Sequence, residues 1–327
     1  MRAFLNKTMI VDGSYLLHRS LHTPGLQELC TVTGMKTGGV YGSLKILQAE
    51  LKRFPEYFPI VCFDDGLSKR RTDLYPDYKA NRARQEADSL AAVGVAREHD
   101  DYLEEYHRQR ADLIAILKSF GIPSLLIPGW EGDDLQYLLT LVSKESVVIS
   151  DDKDLIQLVA PNVKIRRSMR DETITWDESD EYYRAPRFTI RKAIVGDPSD
   201  NIPKCANGLG EKGADEIAKM LQIYNEGYYK TYLEKYCKEH SEDKICKKIE
   251  ALLGNWEQFE VNYQLIDLQK VEIPYGFESL IKDILTANIG RSNIMESYSL
   301  IGRYEMNSVY PDQILAMLSL SSSHVIL

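Results

Sequence analysis

Apolar runs that end in acid recur along this chain and limit the folds open to it. TMIVDG at 8–13 delivers Asp12, and YFPIVCFDDG at 57–66 delivers Asp64 and Asp65. SLLIPG at 124–129 leads into GWEGDD, and SVVISDDKD at 146–154 ends in acids again. Between these runs lie helical patterns at 40–54, 102–120 and 133–145. Short apolar strands alternating with helices predict a mainly parallel sheet covered on both faces. VKIRRS at 163–168 and the following TITWD extend that sheet at an edge.

In such sheets ligands bind beyond the carboxyl ends of the strands. Nine carboxylates are expected to converge there: Asp12, Asp64, Glu131, Asp133, Asp134, Asp152, Asp154, Asp197 and Asp200. Gathered in a low-dielectric cleft they would repel one another, so cations are needed to make the cluster reasonable. No Cys or His accompanies them in ligand spacing, and all-oxygen donors suit Mg²⁺ or Mn²⁺. More than four or five acids implies two metals, as in two-metal phosphodiester hydrolysis. Asp65 reads as turn chemistry, and the direction of Asp151 stays open.

Two further stretches fit the sheet pattern badly. Residues 66–101 are first basic and then acidic, which by itself reads as a solvated insertion. In NGLGEKGADEIAKML, Gly208 and Gly210 permit a tight turn, and the next helix N-terminus offers N–H groups to a phosphate. Lys212 stands close enough to add charge.

The chain has 327 residues and a formal charge of −9, which argues against nucleic acid unless the acids are concentrated in one place. Its five cysteines are scattered, and no apolar run approaches a membrane span. Neither an export signal nor a membrane partner is expected, and a cytoplasmic location fits.

VDGSYLLHRS, VYGSLKIL, VCFDDG, YPDYKANR, GWEGDD, ISDDKDLIQL, GDPSDNIP and GLGEKGA occur in the order and spacing of the 5′–3′ exonuclease and flap endonuclease family. The chain resembles its stand-alone phage-type 5′ nucleases and RNase H enzymes, and the 5′-nuclease domains of bacterial DNA polymerase I. That resemblance covers residues 8–222. It implies a PIN-like α/β core over 1–185 with a helical arch inserted at about 66–112. A helical region over 186–327 would then carry a helix-hairpin-helix motif at about 200–222. Asp12, Asp64, Glu131, Asp133 and Asp134 resemble the first-metal side, and Asp152, Asp154, Asp197 and Asp200 the second. Trp130 and Gly132 replace a common tyrosine and alanine, without removing a ligand.

By the same resemblance, Lys69, Arg70, Arg71, Lys79, Arg82 and Arg84 lead into the arch and engage phosphates. Arg71, Lys79 and Arg82 match the recurrent basic positions, and Arg71 or Lys79 would act catalytically with Asp152 and Asp154. Tyr75 and Tyr78 either stack on an unpaired base or pack the base of the arch. The hairpin grips duplex backbone in the family, sometimes with a monovalent cation. Here Lys204 replaces a glycine and the turn is longer, which puts that cation in question.

The function implied is a monomeric, structure-specific 5′ nuclease with two Mg²⁺, replaceable by Mn²⁺. Its partners would be branched or nicked duplex DNA with a free 5′ end, alongside replication proteins. Three alternatives stand beside it: 5′ removal of RNA primers from RNA–DNA hybrids, a small-molecule phosphatase, and a non-catalytic nucleic-acid binder. The helices beyond 250 either cover the core or contact duplex.

Overall fold

A computed structural model describes residues 4–81, 99–179 and 181–322. Six strands form one sheet: β1 (Leu5–Asp12), β2 (Phe58–Phe63), β3 (Ser124–Leu126), β4 (Ser143–Ile149), β5 (Val163–Arg167) and β6 (Glu172–Ile174). Their order is β3-β2-β1-β4-β5-β6; all neighbours run parallel except β6, an antiparallel edge. The chain builds outward from β1 to β2 and β3, then crosses back to lay β4 on the other side of β1. The switch point is therefore the β1–β4 boundary, where Val11 pairs Ile149.

Alternation along the strands explains why both faces are buried. Met9, Val11, Val61, Phe63, Val147 and Ile149 point to one side. There they meet Val40, Leu44, Leu47 and Leu51 of α2 (Gly38–Arg53) and Leu113, Ile116 and Leu117 of α4 (His99–Ser119). Ile10, Ile60, Cys62, Val148 and Ile165 point to the other, against α5 (Gly132–Val142). Leu135, Leu138 and Leu139 of α5 are fully buried there, each worth roughly 2 kcal/mol of transfer free energy. The helix expected over 133–145 stops at Val142, because Ser143 enters β4 without an intervening turn.

α1 (Gly13–Leu21) springs directly from β1. A Cβ on Gly13 would lie 2.5 Å from the Phe63 ring, so only glycine lets the strand turn this tightly into the helix. The short α3 (Lys69–Leu74) precedes the segment 82–98, and the expected phosphate contacts Arg82 and Arg84 lie outside the described residues.

A second core joins α6 (Arg187–Val195), α7 (Glu211–Leu221), α8 (Tyr229–Glu239), α9 (Lys244–Leu253) and α10 (Trp256–Ile266). α6 and α7 flank the hairpin at 196–210, so the first helix of this pair begins before the expected 200. The expected boundary at 185/186 does not separate the packing. Phe277, Ile281 and Leu285 of α11 (Phe277–Asn288) complete the α5 face of the sheet. Ile301 of α12 (Ile294–Arg303) and Ile314 and Leu318 of α13 (Pro311–Ser322) complete the opposite face. Among the described residues no helix is long and apolar enough to cross a membrane.

Candidate active site

The strand ends open into a cleft of about 800 Å³ at the switch point. Seven of the nine expected ligands line it: Asp12, Asp64, Asp133, Asp152, Asp154, Asp197 and Asp200. Four of them are fixed by local devices. Asp12 caps α1, with Oδ1 accepting from the Tyr15 N–H at 2.9 Å and Oδ2 from Ser150 Oγ at 2.8 Å. Ser14 Oγ accepts the Asp64 N–H at 2.9 Å, and Asp64 Oδ1 accepts the Gly132 N–H at 2.6 Å. Asp152 accepts the Asp154 N–H at 2.8 Å, folding that strand end into a tight turn. Asp197 caps the GDPSD turn through the Ser199 N–H at 2.9 Å.

Burial and mutual repulsion weigh on this cluster. Burial, then the neighbouring Asp64 charge, pushes Asp12 up to about 7. Burial likewise raises Asp133 well above the carboxylate range, and burial with Asp154 raises Asp152. Burial would raise Asp197 too, but the Lys192 ammonium 2.7 Å away more than offsets it and holds the group low. Lys192 also pairs with Asp154, and despite its burial the two carboxylates hold its pKa above the ordinary lysine value.

Glu131 and Asp134 correct the expectation of nine acids facing one space. Both are only 2% exposed. Glu131 Oε1 accepts the Ser68 N–H at 3.1 Å, and Oε2 accepts from Arg71 at 3.2 Å, Tyr78 at 3.1 Å and Lys79 at 2.8 Å. Asp134 is bracketed by the Arg71 guanidinium at 2.8 and 2.9 Å. Burial opposes ionisation of Glu131, but Lys79 and Arg71 outweigh it and bring the group down to about 2. These two acids neutralise internal cations, leaving Asp133 as the residue of GWEGDD that faces the cleft.

The basic and aromatic expectations divide similarly. Arg71 is 2% exposed and also donates to the Leu265 carbonyl at 2.9 Å, so in this structure it serves as a buried counter-ion. Arg70 donates to the Gln264 carbonyl at 2.6 Å, and Lys69 pairs with Asp73. Tyr78 lies 3% exposed in the helical core with its hydroxyl on Glu131, and Tyr75 packs against the same core. Tyr78 is thus packed, and Tyr75 is half-buried beside it. Lys79 does line the cleft, in a left-handed conformation with φ 56°, its N–H donating to the Asp200 carbonyl at 2.9 Å. Asn81 and Asn201 add a 2.9 Å side-chain bond, tying the YPDYKAN segment to the GDPSDN turn.

In the hairpin, Gly208 has φ +82° and Gly210 caps α7, with nothing within 4 Å of where its Cβ would stand. Lys212 is exposed in the first turn of α7. Asp65 takes part in the turn, as expected, through backbone bonds with Gly129 and Trp130. Asp151, whose direction the sequence left open, lines the same cleft, with Oδ2 accepting from Tyr15 OH at 2.5 Å and the Met169 N–H at 2.9 Å.

Sequence reasoning missed Lys192, Ser150 and Ser14. Only Ser14, inside VDGS, carried a local signal. The donor set is carboxylate oxygen throughout, which fits hard divalent cations. Among the described residues no three acids are drawn close enough to hold one ion, and the internal ammonium of Lys192 occupies the space between Asp154 and Asp197.

Residues 7–184 match the family described as "5'-3' exonuclease, N-terminal resolvase-like domain". The chain is 29% identical over 281 residues to a 5'-3' exonuclease of Aquifex aeolicus, covering 84% of this chain and 82% of that protein. It is 32% identical over 231 residues to a 5'-3' exonuclease of Buchnera aphidicola, covering 67% and 74%. Among solved structures, the bacteriophage T5 D15 flap endonuclease, in complex with DNA and metal ions, aligns with a TM-score of 0.59. At 21% identity, over 92% of this chain and 99% of that one, the likeness shows a shared fold.

Proposed function

Since the chain belongs to the 5′–3′ exonuclease family, we propose that it is a structure-specific 5′ nuclease for DNA with flaps, nicks or free 5′ ends. One observation carries the reading. Aspartates from five separate segments line a single cleft at the switch point of the sheet, where burial alone would disfavour their charge. Divalent cations, with Mg²⁺ as the resident ion, would draw Asp12, Asp64 and Asp133 together on one side of the cleft and Asp152, Asp154, Asp197 and Asp200 on the other, displacing Lys192 from between Asp154 and Asp197. When bound, the pair supplies an acidified water for attack and charge stabilisation for the leaving 3′-oxygen.

The remaining work falls to the protein. Ser150, Tyr15 and Gly132 fix the carboxylates of Asp12 and Asp64 through hydrogen bonds, so little reorganisation is needed as charge builds. Lys79 and Lys192 border the cleft, where Lys192 would be released toward phosphoryl oxygens once cations take up Asp154 and Asp197. The open side of Gly210 and the exposed Lys212 suit close approach of a duplex phosphate at the start of α7. Such contacts read shape and not base sequence, which matches selection of a 5′ end or junction.

A 5′-labelled flap and a nicked duplex should be shortened with Mg²⁺ and left intact with EDTA. An RNA–DNA hybrid run alongside measures whether primer removal shares the site. Absence of cleavage on every 5′-ended substrate, with protein shown folded, overturns the reading.

A further inference from the structure

The helix that carries Asp133 also carries a side chain with no place in the chemistry so far. Gln136 is 0% exposed, and both Oε1 and Nε2 lack a hydrogen-bond partner. A buried amide without partners is costly, and Leu135, Leu138 and Leu139 on the same helix avoid that cost. Its neighbourhood supplies a reason to keep it. Gly132 lies one turn earlier, and a Cβ there would stand 3.3 Å from Asp64 Oδ1 and 3.7 Å from Gln136 Nε2. The spot that a side chain would occupy is thus flanked by the Gln136 amide and by the carboxylate of Asp64. The Gly132 N–H already donates to that same Asp64 oxygen at 2.6 Å.

We propose that Gln136 is a positioning residue for Asp64. Its amide holds an internal water beside the bare face of Gly132, and that water fixes the carboxylate in the orientation that receives a divalent cation. Two polar neighbours are the minimum such a water requires. This inference rests on Asp64 being a metal-holding residue. Groups that orient a ligand from behind typically change metal affinity by about 10–100-fold.

The test is Mn²⁺ binding by calorimetry, without DNA, together with thermal unfolding. Gln136→Leu should melt no lower than wild type and yet bind Mn²⁺ about tenfold more weakly, with cleavage recovered at higher metal concentration. Gly132→Ala crowds the same space and should weaken Mn²⁺ similarly, while the double variant should be no worse than Gln136→Leu. Gln136→Leu with unchanged Mn²⁺ affinity overturns the proposal. If that variant fails to fold, unchanged affinity in Gly132→Ala overturns it equally. A wild-type protein that binds no Mn²⁺ at all removes the role of Asp64 as well, which separates the two failures.

Discussion

Asp133 and Asp134 leave the same turn of α5 on different sides: one lines the acidic cleft and the other lies against Arg71. Composition and helix position are the same, so their partners decide their roles. The cleft acids carry like-charge repulsion that an external cation would relieve. Glu131 and Asp134 have already been relieved from inside, by Arg71 and Lys79. An acid-rich motif therefore divides into a part that faces the cleft and a part that builds the wall behind it.

The comparison can be broken by exchanging charges for neutral isosteres. Asp154→Asn, on the cleft side, should lower single-turnover cleavage on the order of 10³-fold, with flap affinity measured by anisotropy largely kept. Loss of affinity in proportion to cleavage would mean that Asp154 shapes the fold and not the reaction. Arg71→Met, on the wall side, strands two buried carboxylates and should cost about 3–5 kcal/mol in urea unfolding. Asp133→Asn should do the reverse in metal-free buffer, because it removes a buried charge that has been raised by desolvation.

Asp12 extends the comparison into pH. Its folded value, about 7, lies above the ordinary 3.8, so the folded state binds the proton more tightly. Ionisation then costs nothing below pH 4 and weighs progressively on the fold up to about pH 7. Asp12→Asn should therefore match wild type at low pH and become more stable above it, by about 4 kcal/mol at most near neutrality. Added Mn²⁺ should shrink the gap, and a gap independent of pH would refute the assignment. The smallest effect is expected from Tyr78→Phe, which removes the hydroxyl on Glu131: about 1 kcal/mol of stability, with flap affinity unchanged. A drop in affinity there would reinstate base stacking.

Much of the sheet was legible because its signals are local. Alternation and short apolar length mark β1, β2 and β4, and the acids follow from where those strands stop. The wall was not legible, since Arg71 meets Glu131 across 60 positions of chain and its direction depends on tertiary packing. Lys192 was hidden for a related reason. Within RFTIRKAIV it looks like an ordinary solvated lysine, and only the fold of the GDPSD turn brings Asp197 to it. Helix α5 was overextended because its apolar spacing runs on into β4 with neither glycine nor proline to mark the change.

The closing helices α11 to α13 split between the two faces of the sheet, with Phe277, Ile281 and Leu285 on one and Ile301, Ile314 and Leu318 on the other. During synthesis, then, the strands that carry the cleft acids emerge well before the helices that cover them. Until those helices have emerged, both apolar faces stand partly open to solvent. A nascent chain therefore holds the cleft acids before it holds the helices that cover the sheet behind them.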